Sequence, residues 1–545
     1  MRRHATSAIL EDMRNERSEP MDELQARRFQ ATGPGSEGQA GYRQRIRQLQ
    51  LESLSLDPGV AERARMREKV VDYADGFMDG LEEGPAFVAS EGEGSVLYDS
   101  PISEEPMGPD EVLDLLDLGV HQNGVNVGSG GTMAYIPGSN LYASALADYL
   151  GAVTNRYSGL YFAAPGSVSM ERVLLRWMVD LVGYPEGAAG DLTSGGSIAN
   201  LIGIVTARYA RSLKARNFDK VVVYLGEQSH HAIHKALRIA GLGESVKRFV
   251  PLDGRYRMRP DALEEAIKAD AKMGLYPWLV AATAGTTDTG AVDPLSDIAG
   301  IAGRNGLWLH VDGAYGAAFV LTPQGKRVLE GLESSDSMVM DPHKGLFLPF
   351  GSGVVLVREG RHLLNANQYD ASYLQDKDVL APGNEVSPAD LSPELTRPSR
   401  GLRLWLPLKL AGVAPFRAAL GEKLLLAQYF YERLLLEDGF EVGPPPDLSI
   451  VTFRYLPRRG DPDAFNRKLV DAVQRDGRVF ISSTMIDGTF TLRLAVLSLR
   501  THLETIDLAI EILLEKAGQL ERDGRPTERT GTDEGQTMPM SDSRQ

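Results

Sequence analysis

The residues best placed to do chemistry sit where short apolar runs end. Ser337-Met-Val-Met-Asp-Pro-His-Lys344-Gly345 reads as an apolar strand broken at Asp-Pro, with a His343-Lys344 pair on the turn. In an open α/β sheet ligands bind beyond the carboxyl ends of strands, so Lys344 would project its amine into such a site. Taken alone, a lysine in a turn reads as a surface residue, since lysines are mostly exposed; the neighbouring segments change that reading. Leu309-His310-Val311-Asp312-Gly313-Ala314 repeats the pattern, with His310 and Asp312 on one face of the strand. A carboxylate there can hold the protonated nitrogen of a flat pyridine ring and make that ring an electron sink, or serve as a helix cap or ion pair. Leu192-Thr-Ser-Gly195-Gly196-Ser197 opens a helical pattern. Free N–H groups and the helix dipole favour a phosphate there, although Gly-Ser turns before helices are common. Ala284-Gly-Thr286-Thr-Asp-Thr-Gly290 adds hydroxyls and backbone donors, or is an ordinary polar loop.

These segments need a frame, and the middle of the chain supplies an alternating one. Lys220 to Leu225, Val246 to Leu252, Trp278 to Thr283 and Leu307 to Asp312 read as strands, rich in β-branched and apolar residues. His231 to Ala240 reads as a helix between them. Another is expected after Asp293-Pro294, with Asp293 as N-cap, running to about Gly303. Strand–helix alternation of this kind predicts an α/β fold with helices on both faces of a sheet. Val60 through Met78 carries helical periodicity, and a long helix is expected from about Arg417, leading into α+β material that ends near Gln519. The expected organisation is a flexible lead over 1–55, an N-terminal helical segment over 56–130, a large cofactor domain over 131–415, a small C-terminal domain over 416–520 and a disordered tail over 521–545.

Bulk composition narrows the function classes. The chain has 545 residues, 43% of them hydrophobic, enough for a large core and more than one domain. A net charge of -16 argues against nucleic-acid or anionic-membrane partners, which require a basic face. With no cysteine, thiolate nucleophiles, disulfides and sulfur-ligated metals are excluded. Neither a signal-peptide core nor a run of about 20 apolar residues is present, so a cytoplasmic protein is expected.

TSGGSIAN, HVDGAYG and DPHKG, in this order and spacing, resemble the group II decarboxylases that depend on pyridoxal 5'-phosphate (PLP), a family that includes aromatic-amino-acid and glutamate decarboxylases. The resemblance covers about residues 60 to 515. It implies the PLP-dependent transferase fold type I, with a mainly parallel seven-stranded sheet in a large domain and a smaller C-terminal α+β domain. It implies that Lys344 holds PLP as a Schiff base, that Asp312 pairs with the pyridinium nitrogen, and that Gly195, Gly196 and Ser197 bind the phosphate. Ala314 would lie against the ring, His230 would stack on it, Thr286 would meet cofactor polar atoms, and His343 would touch the phosphate or the lysine linkage. Tyr373 matches a loop tyrosine that a neighbouring subunit supplies to protonate the α-carbon, which implies a homodimer. A phenylalanine at that position is linked in the family to aldehyde-forming relatives.

The implied reaction is decarboxylation of an L-amino acid to the amine and CO2. An aromatic substrate is the first expectation, and glutamate or 2,4-diaminobutyrate the alternative. Tyr135, Pro137 and Arg400 are the substrate-side candidates, Arg400 being equally readable as a structural ion pair. The sequence departs from the family around them: Ile136 stands where an aromatic is common, and Gly138 replaces a hydroxyl residue. Rival readings are a metal site from His230, His234 and Asp312, a catalytically silent PLP-fold protein, and transamination or aldehyde formation on the same cofactor.

Overall fold

A computed structural model describes residues 39–90, 92–368 and 385–523. Tyr373 and the expected tail beyond Asp523 therefore lie outside the described residues. The chain divides into two compact units, residues 1–76 with 107–113 and the remainder. The first unit holds a helix over Gln39–Glu52, where a flexible lead was expected, and most of a helix over Val60–Asp79, as its periodicity predicts. Neither helix buries a side chain. Lys69 pairs with Asp110 inside this unit.

The second unit is built on a seven-stranded sheet. Its strands are β1 (Ala189–Thr193), β2 (Val221–Gly226), β3 (Val246–Val250), β4 (Tyr276–Thr283), β5 (Trp308–Asp312), β6 (Ser337–Met340) and β7 (Gly353–Val357), in spatial order β1-β7-β6-β5-β4-β2-β3. Only β7 runs antiparallel to its neighbours. All six residues of β2 are buried, as expected of a parallel strand covered on both faces. Side-chain alternation divides the sheet between two cores: Val222 and Tyr224 join one, Val221, Val223 and Leu225 the other. Helix α1 (Gly196–Ala210) follows β1, and α2 (His231–Ile239) follows β2.

The helix after Asp293-Pro294 spans Leu295–Asn305, but Asp293 does not cap it. Its carboxylate instead accepts the Met258 N–H at 2.7 Å and the Thr283 N–H at 2.8 Å, tying β4 to the loop before the Pro260–Lys272 helix. A five-stranded sheet closes the chain, formed by Phe440–Val442, Ile450–Tyr455, Thr489–Ala495, Phe480–Ile486 and, at its edge, Thr132–Met133. Thr132–Met133 pairs parallel to Phe480–Ile481, so a segment expected to open the large domain is stitched to C-terminal strands. The Thr501 hydroxyl donates to the Gly130 carbonyl at 2.6 Å and reinforces that attachment. Among the described residues no helix is long and apolar enough to cross a membrane.

Candidate active site

Parallel strands end on one edge of the sheet, and residues following several of them line a single cavity of about 300 Å³. From β1 come Ser194, Gly195, Gly196 and Ser197; after β2 comes His230; from β4 come Thr283, Gly285 and Thr287. β5 contributes Asp312, Ala314 and Tyr315, and the turn after β6 contributes Asp341, His343 and Lys344.

The β1 turn is shaped for an anion. Gly195 has φ +151°, a conformation that side-chain-bearing residues rarely adopt. The Ile198 and Ala199 N–H groups both close on the Gly195 carbonyl at 3.1 Å, which leaves Gly196 and Ser197 N–H at the open start of a fifteen-residue helix. A side chain on Gly196 would fill the cradle: its Cβ would lie 2.8 Å from Asp341 Oδ2 and 3.2 Å from Ala314 Cβ.

Asp312 is 6% exposed and is held by two donors, the Ala314 N–H to Oδ1 at 3.1 Å and the Asn200 amide to Oδ2 at 3.2 Å. Asn200 is itself oriented, because its Oδ1 lies 2.7 Å from His310 Nε2. His310 Nδ1 lies 2.8 Å from Ser337 Oγ, which in turn accepts from Trp308 Nε1 at 2.8 Å. One proton arrangement satisfies the chain: Trp308 donates to Ser337, Ser337 to His310, His310 to Asn200 and Asn200 to Asp312. Burial pushes His310 down to about 4, so the imidazole stays neutral and keeps that single orientation. Room for its ring comes from Gly203 on α1, where a Cβ would sit 2.7 Å from His310 Cε1.

His230 caps α2, its Nδ1 accepting the Ala232 N–H at 3.2 Å. That bond places the ring proton on Nε2, and burial lowers the pKa, so a flat neutral imidazole borders the cavity. Lys344 Nζ lies 3.0 Å from Asp341 Oδ2. His343 Nδ1 donates to the Ser352 carbonyl at 2.5 Å, fixing the turn against the start of β7.

Lys344, Asp312, His230, His343, Ala314, Gly195, Gly196 and Ser197 thus meet around one cavity, while other candidates do not. Thr286 is not part of the lining; its hydroxyl is engaged with Thr289 Oγ1 at 2.7 Å, and Gly285 and Thr287 face the cavity instead. Arg400 makes the structural ion pair, reaching Glu394 at 2.6 and 2.8 Å and the Leu192 carbonyl at 3.1 Å. It works beside Arg397, fully buried between Glu171 and Asp191, to hold the end of β1. Tyr135 is 62% exposed with φ +54°, Pro137 is buried, and neither lines the cavity. The space beside Gly138 is occupied by Phe350, 2.9 Å from where a Cβ would be. His234 packs against Phe249 and does not join His230 and Asp312 at the cavity.

Asn200 and Asp341 carried no assigned role in the sequence. Asn200 lies four residues after Gly196 on the same helix face, and Asp341 immediately precedes the Pro-His-Lys turn, which are the signals that could have marked them.

A lysine amine for an aldehyde, a doubly held carboxylate, a glycine cradle for a phosphate and a neutral imidazole form a donor set that fits PLP. Residues 119–456 match the pyridoxal-dependent decarboxylase conserved domain. The chain is 33% identical to an aromatic-L-amino-acid decarboxylase of Bacillus atrophaeus, over 74% of this chain and 84% of that one. It is 29% identical to a phenylacetaldehyde synthase of Arabidopsis thaliana, over 83% and 95%. The crystal structure of Oryza sativa TDC with PLP and tryptamine superposes with a TM-score of 0.80 at 26% identity, covering 85% of this chain and 99% of that one. The chain belongs to the pyridoxal-dependent decarboxylase family, an enzyme family whose cofactor is pyridoxal 5'-phosphate.

Proposed function

We propose that this enzyme removes the α-carboxylate of an aromatic L-amino acid, giving the amine and CO2. The observation that carries the reading is the convergence of Lys344, Asp312 and the Gly195–Ser197 turn on one cavity. The aromatic preference is supported by the named activities of the relatives. When bound, the cofactor ring takes up the electron pair that the departing carboxylate leaves on the α-carbon. In this reading the Lys344 amine would fix the aldehyde end, and Asp312, held by Asn200 and Ala314, would pair with the ring nitrogen. His230 offers a flat uncharged surface to the ring. The tyrosine at 373, by its family resemblance, would return a proton to the α-carbon.

The same reading makes the enzyme a homodimer, with Tyr373 reaching into its partner's site. Leu146, Tyr149, Leu150 and Val153 support this, forming an exposed apolar stripe with helical spacing on the Tyr142–Thr154 helix. A cytoplasmic location accords with the cysteine-free composition and the acidic charge. Aldehyde formation is the second reading, favoured by the phenylacetaldehyde synthase likeness; the tyrosine at 373 favours the amine.

Incubating the PLP-loaded enzyme with each standard amino acid, and measuring CO2, amine, aldehyde and peroxide together, tests both readings. Amine and CO2 from tryptophan, tyrosine or phenylalanine are expected. Peroxide and aldehyde in equal amounts would replace the first reading by the second, and release only from glutamate or 2,4-diaminobutyrate would overturn the aromatic assignment.

A further inference from the structure

The chemistry proposed above leaves one ionisable group in the cavity without a task. Asp341 is 2% exposed, and its Oδ2 lies 3.0 Å from Lys344 Nζ and 3.7 Å from His343 Nε2, while Oδ1 has no hydrogen-bond partner. A bare carboxylate oxygen at such depth is unusual, since buried polar atoms are nearly always paired. Three elements face the group. Its own turn presents Lys344 and His343; β5 presents the like-charged Asp312; and α1 presents the Gly196 backbone, close enough that a Cβ there would lie 2.8 Å from Oδ2 and 3.2 Å from Oδ1. Burial is the main reason that the Asp341 carboxyl ionises above its usual range; Lys344 and His343 act in the opposite sense, and Asp312 adds to the rise.

A carboxylate pressed against the turn whose free N–H groups would take the phosphate poses an electrostatic conflict. Two anions a few ångströms apart in a dry site cannot both keep full charge, and the carboxyl is the group that can give way by accepting a proton. We propose that Asp341 is a phosphate ligand that acts as a donor: it takes a proton from solvent as the phosphate enters and presents it from its unpartnered oxygen. This rests on the reading that the cavity holds PLP. Cofactor binding is then linked to uptake of one proton, and affinity weakens by up to about tenfold per pH unit once free Asp341 is ionised.

Pyridoxine 5'-phosphate, which lacks the aldehyde, isolates this effect from Lys344 chemistry. Calorimetric titration at pH 8, in buffers of different ionisation enthalpy, counts the protons, because a phosphate monoester with a pKa of about 6 is already dianionic there. The wild type is expected to take up close to one proton more per ligand than Asp341→Asn, whose amide donates without titrating. The ratio of wild-type to variant dissociation constants should also rise from pH 7 to 9. Asp341→Ser serves if the amide variant does not fold. Binding with equal proton uptake in wild type and variant overturns the role of Asp341 alone. Failure of the wild type to bind either pyridoxine 5'-phosphate or PLP overturns the cofactor reading and this proposal with it.

Discussion

Gly203→Ala is a one-methyl test of the hydrogen-bond chain behind Asp312. Gly203 lies inside α1, where alanine normally stabilises a helix by about 1 kcal/mol over glycine. Here the new Cβ would fall 2.7 Å from His310 Cε1 and 3.0 Å from Nδ1. The imidazole is 0% exposed and pinned on both sides, by Ser337 at 2.8 Å and Asn200 at 2.7 Å, so it cannot swing away without breaking a bond. Overpacking a tight core costs about 1–3 kcal/mol, and a buried donor left unpaired about 1–3 kcal/mol more. The steric term therefore wins, and a net loss of roughly 1–5 kcal/mol is expected after the helix gain is subtracted. Part of it should reach the cofactor, because displacing His310 releases Asn200 from Asp312. Gly421→Ala is the control, since it lies inside the Ala414–Leu434 helix with nothing within 4 Å of its added Cβ. Urea denaturation of both variants, with PLP affinity from fluorescence titration, measures the two effects. Gly203→Ala as stable as Gly421→Ala, with unchanged PLP affinity, would refute the claim that His310 is wedged against α1 to orient Asp312.

Other expectations follow from the same geometry. Lys344→Ala should abolish the visible absorbance of the loaded enzyme and its covalent retention of cofactor after borohydride treatment; persistence of colour and turnover would remove Lys344 from its assigned role. Burial raises the Asp293 carboxyl from 3.8 to about 6. The folded state thus holds the extra proton between those values, and this group's contribution is most favourable below about pH 4 and declines as pH rises through 6. At about 1.4 kcal/mol per pH unit the decline is about 3 kcal/mol. The stability of the wild type relative to Asp293→Asn should fall by that amount between about pH 4 and 6.5 in urea melts, and a pH-independent difference would contradict it. Leu150→Asp on the exposed apolar stripe should shift sedimentation from dimer toward monomer without loss of helical content; an unchanged dimer would move the subunit contact elsewhere.

Much of the site was legible in sequence because its chemistry is local. Lys344, His343, Asp312, Gly195 and Gly196 each lie at or just beyond the end of a strand, and side-chain period and strand polarity suffice to send them to one sheet edge. The strands over Val221–Gly226, Tyr276–Thr283 and Trp308–Asp312 announce themselves by apolar, β-branched runs that only a doubly covered sheet can bury. The cofactor class followed from the resemblance that TSGGSIAN, HVDGAYG and DPHKG carry together, not from any one of them. Legibility was lost wherever a partner is distant in the chain. Asp293 looked like a helix cap because Asp-Pro is a helix-start signal, yet its acceptor capacity is spent on Met258 and Thr283, which only the folded chain brings near. Arg400 could be assigned to ion pair or site only once Glu394 and the Leu192 carbonyl were seen to saturate it. The strand pairing of Thr132–Met133 with Phe480–Ile481, which joins opposite ends of the sequence, has no local signal at all. Sequence by itself determined which functional groups exist and which edge of the sheet they occupy. Tertiary structure decided which of them are free to act, because a hydrogen-bonding group is available to a ligand only when no remote residue has already satisfied it.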